Sequence, residues 1–186
     1  DLLNSGTIRG DKTRPLPLPL PLELPQFPAA NPGTTNVTVS SSKTKTLVQG
    51  RYRDVSIGMK GTLILSGGLY EFRNINMGYG ASILCQGESE VRIKDRLYPG
   101  VTSVIGPKTG SGLNAKNIVF HINGTNGSLL NLLSYPRAAE IGLSGKIQCT
   151  MFVPNGTLAL GAGSQIKGRY FAKGLVLGIS AKAELE

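Results

Sequence analysis

The sequence predicts an all-β protein, a short right-handed parallel β-helix (a solenoid) preceded by an extended proline-rich N-terminal arm. Three observations carry that expectation. A pattern of aliphatic, glycine and small residues returns every 17 to 20 residues where copies are consecutive. Within each copy the aliphatic residues stand two apart, the period of a strand with one buried face. Proline stands at every second position from Pro15 to Pro21, which excludes helix and central strand alike. An antiparallel β-sandwich is the alternative, with the Asn-Gly pairs at Asn123, Asn126 and Asn155 as hairpin turns.

The arm and a polar linker occupy residues 1–45. Its prolines alternate with Leu16, Leu18, Leu20 and Leu22, and Leu24 and Phe27 follow. Proline at this spacing enforces an extended, polyproline-like arm, and where the arm keeps close to a two-residue period the four alternating leucines share one side. The arm is therefore expected to lie along the domain's own surface or along a neighbouring subunit. Asp1 to Gly10 lack a basic start followed by an apolar stretch, so no secretory signal is read there.

The β-helix domain is expected over residues 46–186. Its first repeat element reads Ile57-Gly58-Met59-Lys60-Gly61-Thr62-Leu63-Ile64-Leu65 and returns from Met77 to Cys85. Further copies begin at Ile141, Leu160 and Leu177. A second element, Gly-x-Tyr followed by aliphatic-x-aliphatic-Gly, stands at Gly50, Gly68 and Gly168. Segments this short cannot bury their apolar face alone, and stacking coil on coil closes a continuous core. Glycine after each aliphatic pair permits a sharp corner. The repeat lapses near residues 107–116 and 123–137, which read as excursions from the coils.

The ordered phrases resemble the β-helical domain of bacterial PilX-like pilus-assembly and surface proteins. They are the proline-rich lead-in at Pro15 to Pro28, Gly68 to Phe72, Met77-Gly78 with Ala81, Ile141-Gly142, Phe152 to Leu158, and Phe171-Ala172-Lys173 leading to Gly178. The resemblance implies an exported domain at the cell surface or outside the cell, with no catalytic residues to carry over. The chain lacks the apolar N-terminal helix of the pilus-linked members. A more distant likeness, of architecture only, is to the bactofilins, whose β-helices polymerise end to end.

Composition bounds the function. Lys and Arg number 20 against 11 Asp and Glu, a formal charge of +9, which favours polyanionic partners such as acidic polysaccharide. Basic residues alternate with aliphatic neighbours at Arg51, Arg53, Arg92, Lys94, Arg96, Lys167 and Arg169. Stacking could align them into a basic face. Specific nucleic-acid recognition is not expected, because no exposed aromatic residues interleave with them. No apolar run approaches the roughly 18 residues of a membrane-spanning helix.

Catalytic chemistry is thinly represented. Glu88, Glu90 and Asp95 are the nearest approach to a carboxylate cluster and read as solvated charges. His121 is out of phase with Ile118, Phe120 and Ile122, so it should point outward. The expectation is a protein without enzymatic activity, cofactor or metal. Cys85 and Cys149 close two copies of the same repeat element, and a disulfide could join them if their coils are adjacent. Asn36, Asn123, Asn126 and Asn155 begin glycosylation triplets that turn chemistry also explains. The functional expectation is a structural protein of surface filaments, self-associating through coil ends and its arm. The alternatives are a monomeric, adhesin-like module for acidic glycans and, behind it, a polysaccharide-active enzyme.

Overall fold

The structure is a computed structural model that describes residues 7–8, 27–127 and 137–186. Seventeen strands follow in chain order. They begin with β1 (Thr7–Ile8), β2 (Val37–Val39), β3 (Thr44–Leu47), β4 (Gly50–Arg51), β5 (Asp54–Ile57) and β6 (Thr62–Leu65). Next come β7 (Gly68–Met77), β8 (Ser82–Cys85), β9 (Ser89–Tyr98), β10 (Val104–Pro107), β11 (Ile118–Ile122) and β12 (Ala139–Ile141). The last are β13 (Lys146–Gln148), β14 (Thr150–Leu160), β15 (Gln165–Lys167), β16 (Tyr170–Leu177) and β17 (Lys182–Glu184). One 3-10 turn, Ala115–Asn117, precedes β11.

Among the described residues every strand pairing is parallel. Successive coils of about 20 residues stack into a β-solenoid of about seven turns. The Asn-Gly pairs make no hairpins, which removes the sandwich. One sheet runs β1-β17-β15-β13-β10-β8-β6-β3, and the other carries the long strands β7, β9, β14 and β16. We refer to these as the short-strand and long-strand sheets. β11 and β12 together stand where one long strand would, between β9 and β14, because the excursion after Asn123 splits that strand.

The inward columns are the repeat made physical. Leu63, Ile83, Ile105, Ile147 and Ile166 lie in one register column and are all buried. Tyr70, Val91, Phe120 and Met151 form another. The Gly-x-Tyr element has a polar reason. The hydroxyl of buried Tyr70 donates toward the Leu47 carbonyl at 3.0 Å and the Gly67 carbonyl at 3.2 Å. Tyr170 repeats the geometry on the Ile147 and Lys167 carbonyls. A phenol carried into the core needs such partners, and the coil corner supplies them.

One boundary and one expected bond differ from expectation. The first coil begins at Val37, inside the segment read as a polar linker, because Val37 and Val39 flank Thr38 in strand alternation and pair with Val55 and Ile57. Leu16, Leu18, Leu20, Leu22 and Leu24 lie outside the described residues. Cys85 and Cys149 are buried free thiols. β10 runs between β8 and β13, so the disulfide envisaged from the repeat does not form. Burial pushes the Cys85 thiol up to about 11 and raises Cys149 further. Among the described residues no helix is long and apolar enough to cross a membrane.

Candidate functional site

Two surfaces stand out: a covered column on the outer face of the long-strand sheet, and the last coil. Outward residues of consecutive coils align in register as Arg51, Glu71, Arg92, His121, Phe152 and Phe171. Charge occupies one end and aromatic rings the other. Glu71 is buried, and its carboxylate accepts from Arg51 Nε at 2.7 Å and from the Asn31 backbone N–H at 2.9 Å. Arg92 Nε donates to Glu90 at 2.7 Å. The ring planes of Phe152 and Phe171 are nearly parallel, with centroids 4.9 Å apart.

Phe27 covers this column. Its ring centroid lies 4.0 Å from that of His121 and 4.5 Å from that of Phe152. The chain then reaches Asn31 at Glu71, and Gly33 packs on the Arg51 backbone so closely that a β-carbon would collide with the carbonyl. Residues 27–33 thus run along the solenoid axis, across strands, on the domain's own surface. Of the six residues expected to dock the arm, Phe27 does so in this way.

His121 points outward, as its phase requires, yet is only 4% exposed because Phe27 and Phe152 close over it. Its Nδ1 has no hydrogen-bond partner among the described residues. Its Nε2 is 3.6 Å from Glu90 Oε1. Burial holds its pKa below the usual 6.5, opposed by Glu90 and assisted by Arg92.

The seven basic residues do not form one face. Arg51 and Arg92 share a column, with Glu71 between them and a carboxylate on each. Arg53 lies 3.6 Å from Asp54, whose carboxylate is also held by Arg73 and Asn74 and sits below its usual range. Arg96 donates to the Tyr98 hydroxyl, and Lys167 is 3.8 Å from Glu186. Lys94 and Arg169 are exposed. Arg169 stands beside Thr150 and not in the Arg51 column, because Gly50 pairs with Tyr70, two residues out of step with the other Gly-x-Tyr copies. That offset is invisible in the repeat alone.

The carboxylates are dispersed. Glu90 is engaged with Arg92, Glu88 accepts from Asn117 at 2.7 Å, and Asp95 lines a shallow groove with Asn74, Arg96 and Thr125. Among the described residues no three His, Cys, Asp or Glu side chains are placed to hold a metal ion. Asn126 and Asn155 spend their side-chain amides on Thr157 and on the Asn123 carbonyl, tying the excursion to β14. Asn36 accepts from the Asp54 N–H. A second groove, of about 390 Å³, lies on the short-strand sheet among Lys146, Gln148, Gln165, Lys167, Lys182 and Glu184.

The first and last described coils are finished differently. In the first coil Lys45 takes the inward position opposite Leu63 and stays exposed between Thr44 and Thr46. An inward-pointing charge on an edge strand blocks pairing. The last coil has no such guard on the long-strand sheet. Leu175, in the inward column of Leu158, is 42% exposed, and Phe171, Val176, Ile179 and Leu185 are exposed around it. No protein-family model, curated protein or solved structure matches the chain. The fold itself places it among the parallel β-solenoids.

Proposed function

We propose that the protein is a structural assembly module that joins to further copies of itself through its C-terminal coil. The observation that carries this is the inequality of the first and last described coils. The first coil carries an inward lysine, and the last described coil presents Leu175, Val176 and Ile179 beside a strand edge with no partner among the described residues. Such an edge is a template for pairing with another chain. We set the protein at the cell surface or outside the cell, and see it as building or decorating surface filaments, on the resemblance of its ordered phrases to PilX-like surface proteins. Catalysis has no part in this reading, since Glu88 and Glu90 are each committed to a partner side chain.

Light scattering and negative-stain electron microscopy across a concentration series test the proposal. The unmodified chain is expected to assemble as concentration rises. Leu175→Lys, which puts a charge on the open edge, should hold it as monomer under the same conditions. Monomer at every concentration for the unmodified chain would overturn the reading. In that event the lysine-lined groove on the short-strand sheet favours a second one, a monomeric module for acidic glycans. Its mark is retention on an anionic polysaccharide that fades with salt.

A further inference from the structure

Residues 27–33 cross the long-strand sheet from β14 to β4 and are fastened to it at two places of unlike chemistry. At one, the Phe27 ring lies 4.0 Å from the His121 ring and 4.5 Å from the Phe152 ring, centroid to centroid. At the other, the Asn31 N–H donates to Glu71 Oε1 at 2.9 Å, and Arg51 Nε holds the second carboxylate oxygen at 2.7 Å. Gly33 follows, pressed on the Arg51 backbone. Between the fastenings Pro28 and Ala29 are exposed, and Ala30 is buried. The Phe27 end can therefore leave its seat while Asn31 and Gly33 keep theirs.

The seat beneath Phe27 is poorly made for a charge. His121 is buried there, and its Nδ1 has no hydrogen-bond partner among the described residues. Its Nε2 faces Glu90 Oε1 at 3.6 Å, but that same oxygen already accepts from Arg92 Nε at 2.7 Å. Arg92 is also the register partner of His121, so β9 sets a cation as well as a carboxylate beside the imidazole. β14 offers it the Phe152 ring, and the covering segment offers the Phe27 ring. A proton on His121 adds a second cation to a carboxylate that an arginine already neutralises. It also leaves an N–H donor buried without an acceptor. Lifting Phe27 brings water to Nδ1 and relieves both costs.

We propose that residues 27–30 are a strap that closes over the aromatic end of this column while His121 is neutral and opens when His121 takes a proton. The inference concerns one chain and stands apart from the assembly reading. The closed seat excludes the imidazolium and the open one admits it, so opening and proton uptake are one linked equilibrium. Burial holds the pKa of the closed form below 6.5, and exposure in the open form returns it towards that value. The closed form is thus favoured above 6.5 and loses ground as pH falls below it. Opening presents His121 and Phe152 to solvent beside Phe171, which is already exposed. The strap therefore governs access to an aromatic strip on the outer face of the sheet.

The chain contains no tryptophan, so Phe27→Trp places a single indole on the strap. Between pH 8 and 5 its emission should shift to the red, with a midpoint no higher than 6.5, while circular dichroism keeps the strand signal. In a chain that also carries His121→Phe, which retains a ring and removes the charge, the emission should hold its pH 8 position throughout. No shift in the first chain, a shift of equal size in the second, or a shift that comes only with loss of the strand signal would each overturn the strap. Hydrogen exchange over residues 27–33 gives a second reading with Phe27 in place. At pH 5.5 the segment should exchange faster in the unmodified chain than in His121→Phe at the same pH, and the two should agree at pH 8. Equal protection at both pH values would also overturn it.

Discussion

His121 shows how one side chain carries two kinds of information. Its outward direction was legible in the sequence, because it breaks the phase of Phe120 and Ile122. Its burial was not, because the cover comes from Phe27, a distant residue that no local period connects to it. The consequence is a pH dependence. The folded state holds His121 neutral, with its pKa below 6.5. Among the described residues the charged groups facing it are Glu90, at 3.6 Å, and Arg92, its register partner, both on β9, and the covering elements offer the rings of Phe27 and Phe152. The unfolded chain therefore binds a proton near pH 6.5 that the folded chain refuses. Stability from this group is complete above 6.5 and declines as pH falls below it. Thermal unfolding between pH 5 and 8 should show the decline in the unmodified chain, and His121→Phe should flatten it. An equal slope in both would assign the dependence to other groups.

At the scale of a coil, each turn rounds the same corner through one residue in the left-handed region. Ser42, Lys60, Gly80, Thr102, Ser144, Gly163 and Ser180 hold this place, with φ between 53° and 69°. The Thr102 N–H donates to the Leu143 carbonyl of the following coil, as Lys60 does to Tyr79 and Ser144 to Ala162. The corner is thus a hydrogen-bonded ladder as well as a bend. The sequence located these corners through the glycines two residues earlier, such as Gly58 and Gly142, where a β-carbon would press into the neighbouring coil's backbone. It did not mark the left-handed residue itself, since glycine fills it only twice. Thr102 is the one β-branched residue among the seven, and left-handed backbone costs an L-residue about 1–2 kcal/mol. Thr102→Gly gives up ~0.5–1 kcal/mol in unfolded-chain entropy. The net expectation in denaturant unfolding is a gain of up to about 1.5 kcal/mol. A loss would mean that the Thr102 side chain supports the corner in a way its backbone strain does not reveal.

The whole molecule is close to one-dimensional. Each coil touches mainly the coils before and after it, so protection should follow position along the axis. Hydrogen exchange is expected to be slowest in β7 to β9, which have coils on both sides and the fully buried Tyr70, Phe72 and Ile93 between them. It should be fastest in β16, where inward and outward residues alike are partly open. Uniform protection from end to end would point to a single cooperative unit. Period, strand direction and core columns were all readable at this scale, because they repeat. The unequal ends were not, because an end is where the repeat stops and Lys45 looks like any other solvated lysine. The basic face failed for a related reason: charges one period apart were assumed to align, while the two-residue offset at Gly50 and the carboxylates of Glu71 and Glu90 rearranged and neutralised them.

The path of residues 27–33 bears on the order of events during synthesis. Coils can close one after another as the chain emerges, each on the one just made. The segment made before any of them cannot follow that order. Phe27 has no seat until His121 and Phe152 have been translated, and β1 has no partner until Lys182 and Ala183 have left the ribosome. A segment made before the coils is seated only after them, and the arrival of Phe27 marks the moment at which β11 and β14 are both in place.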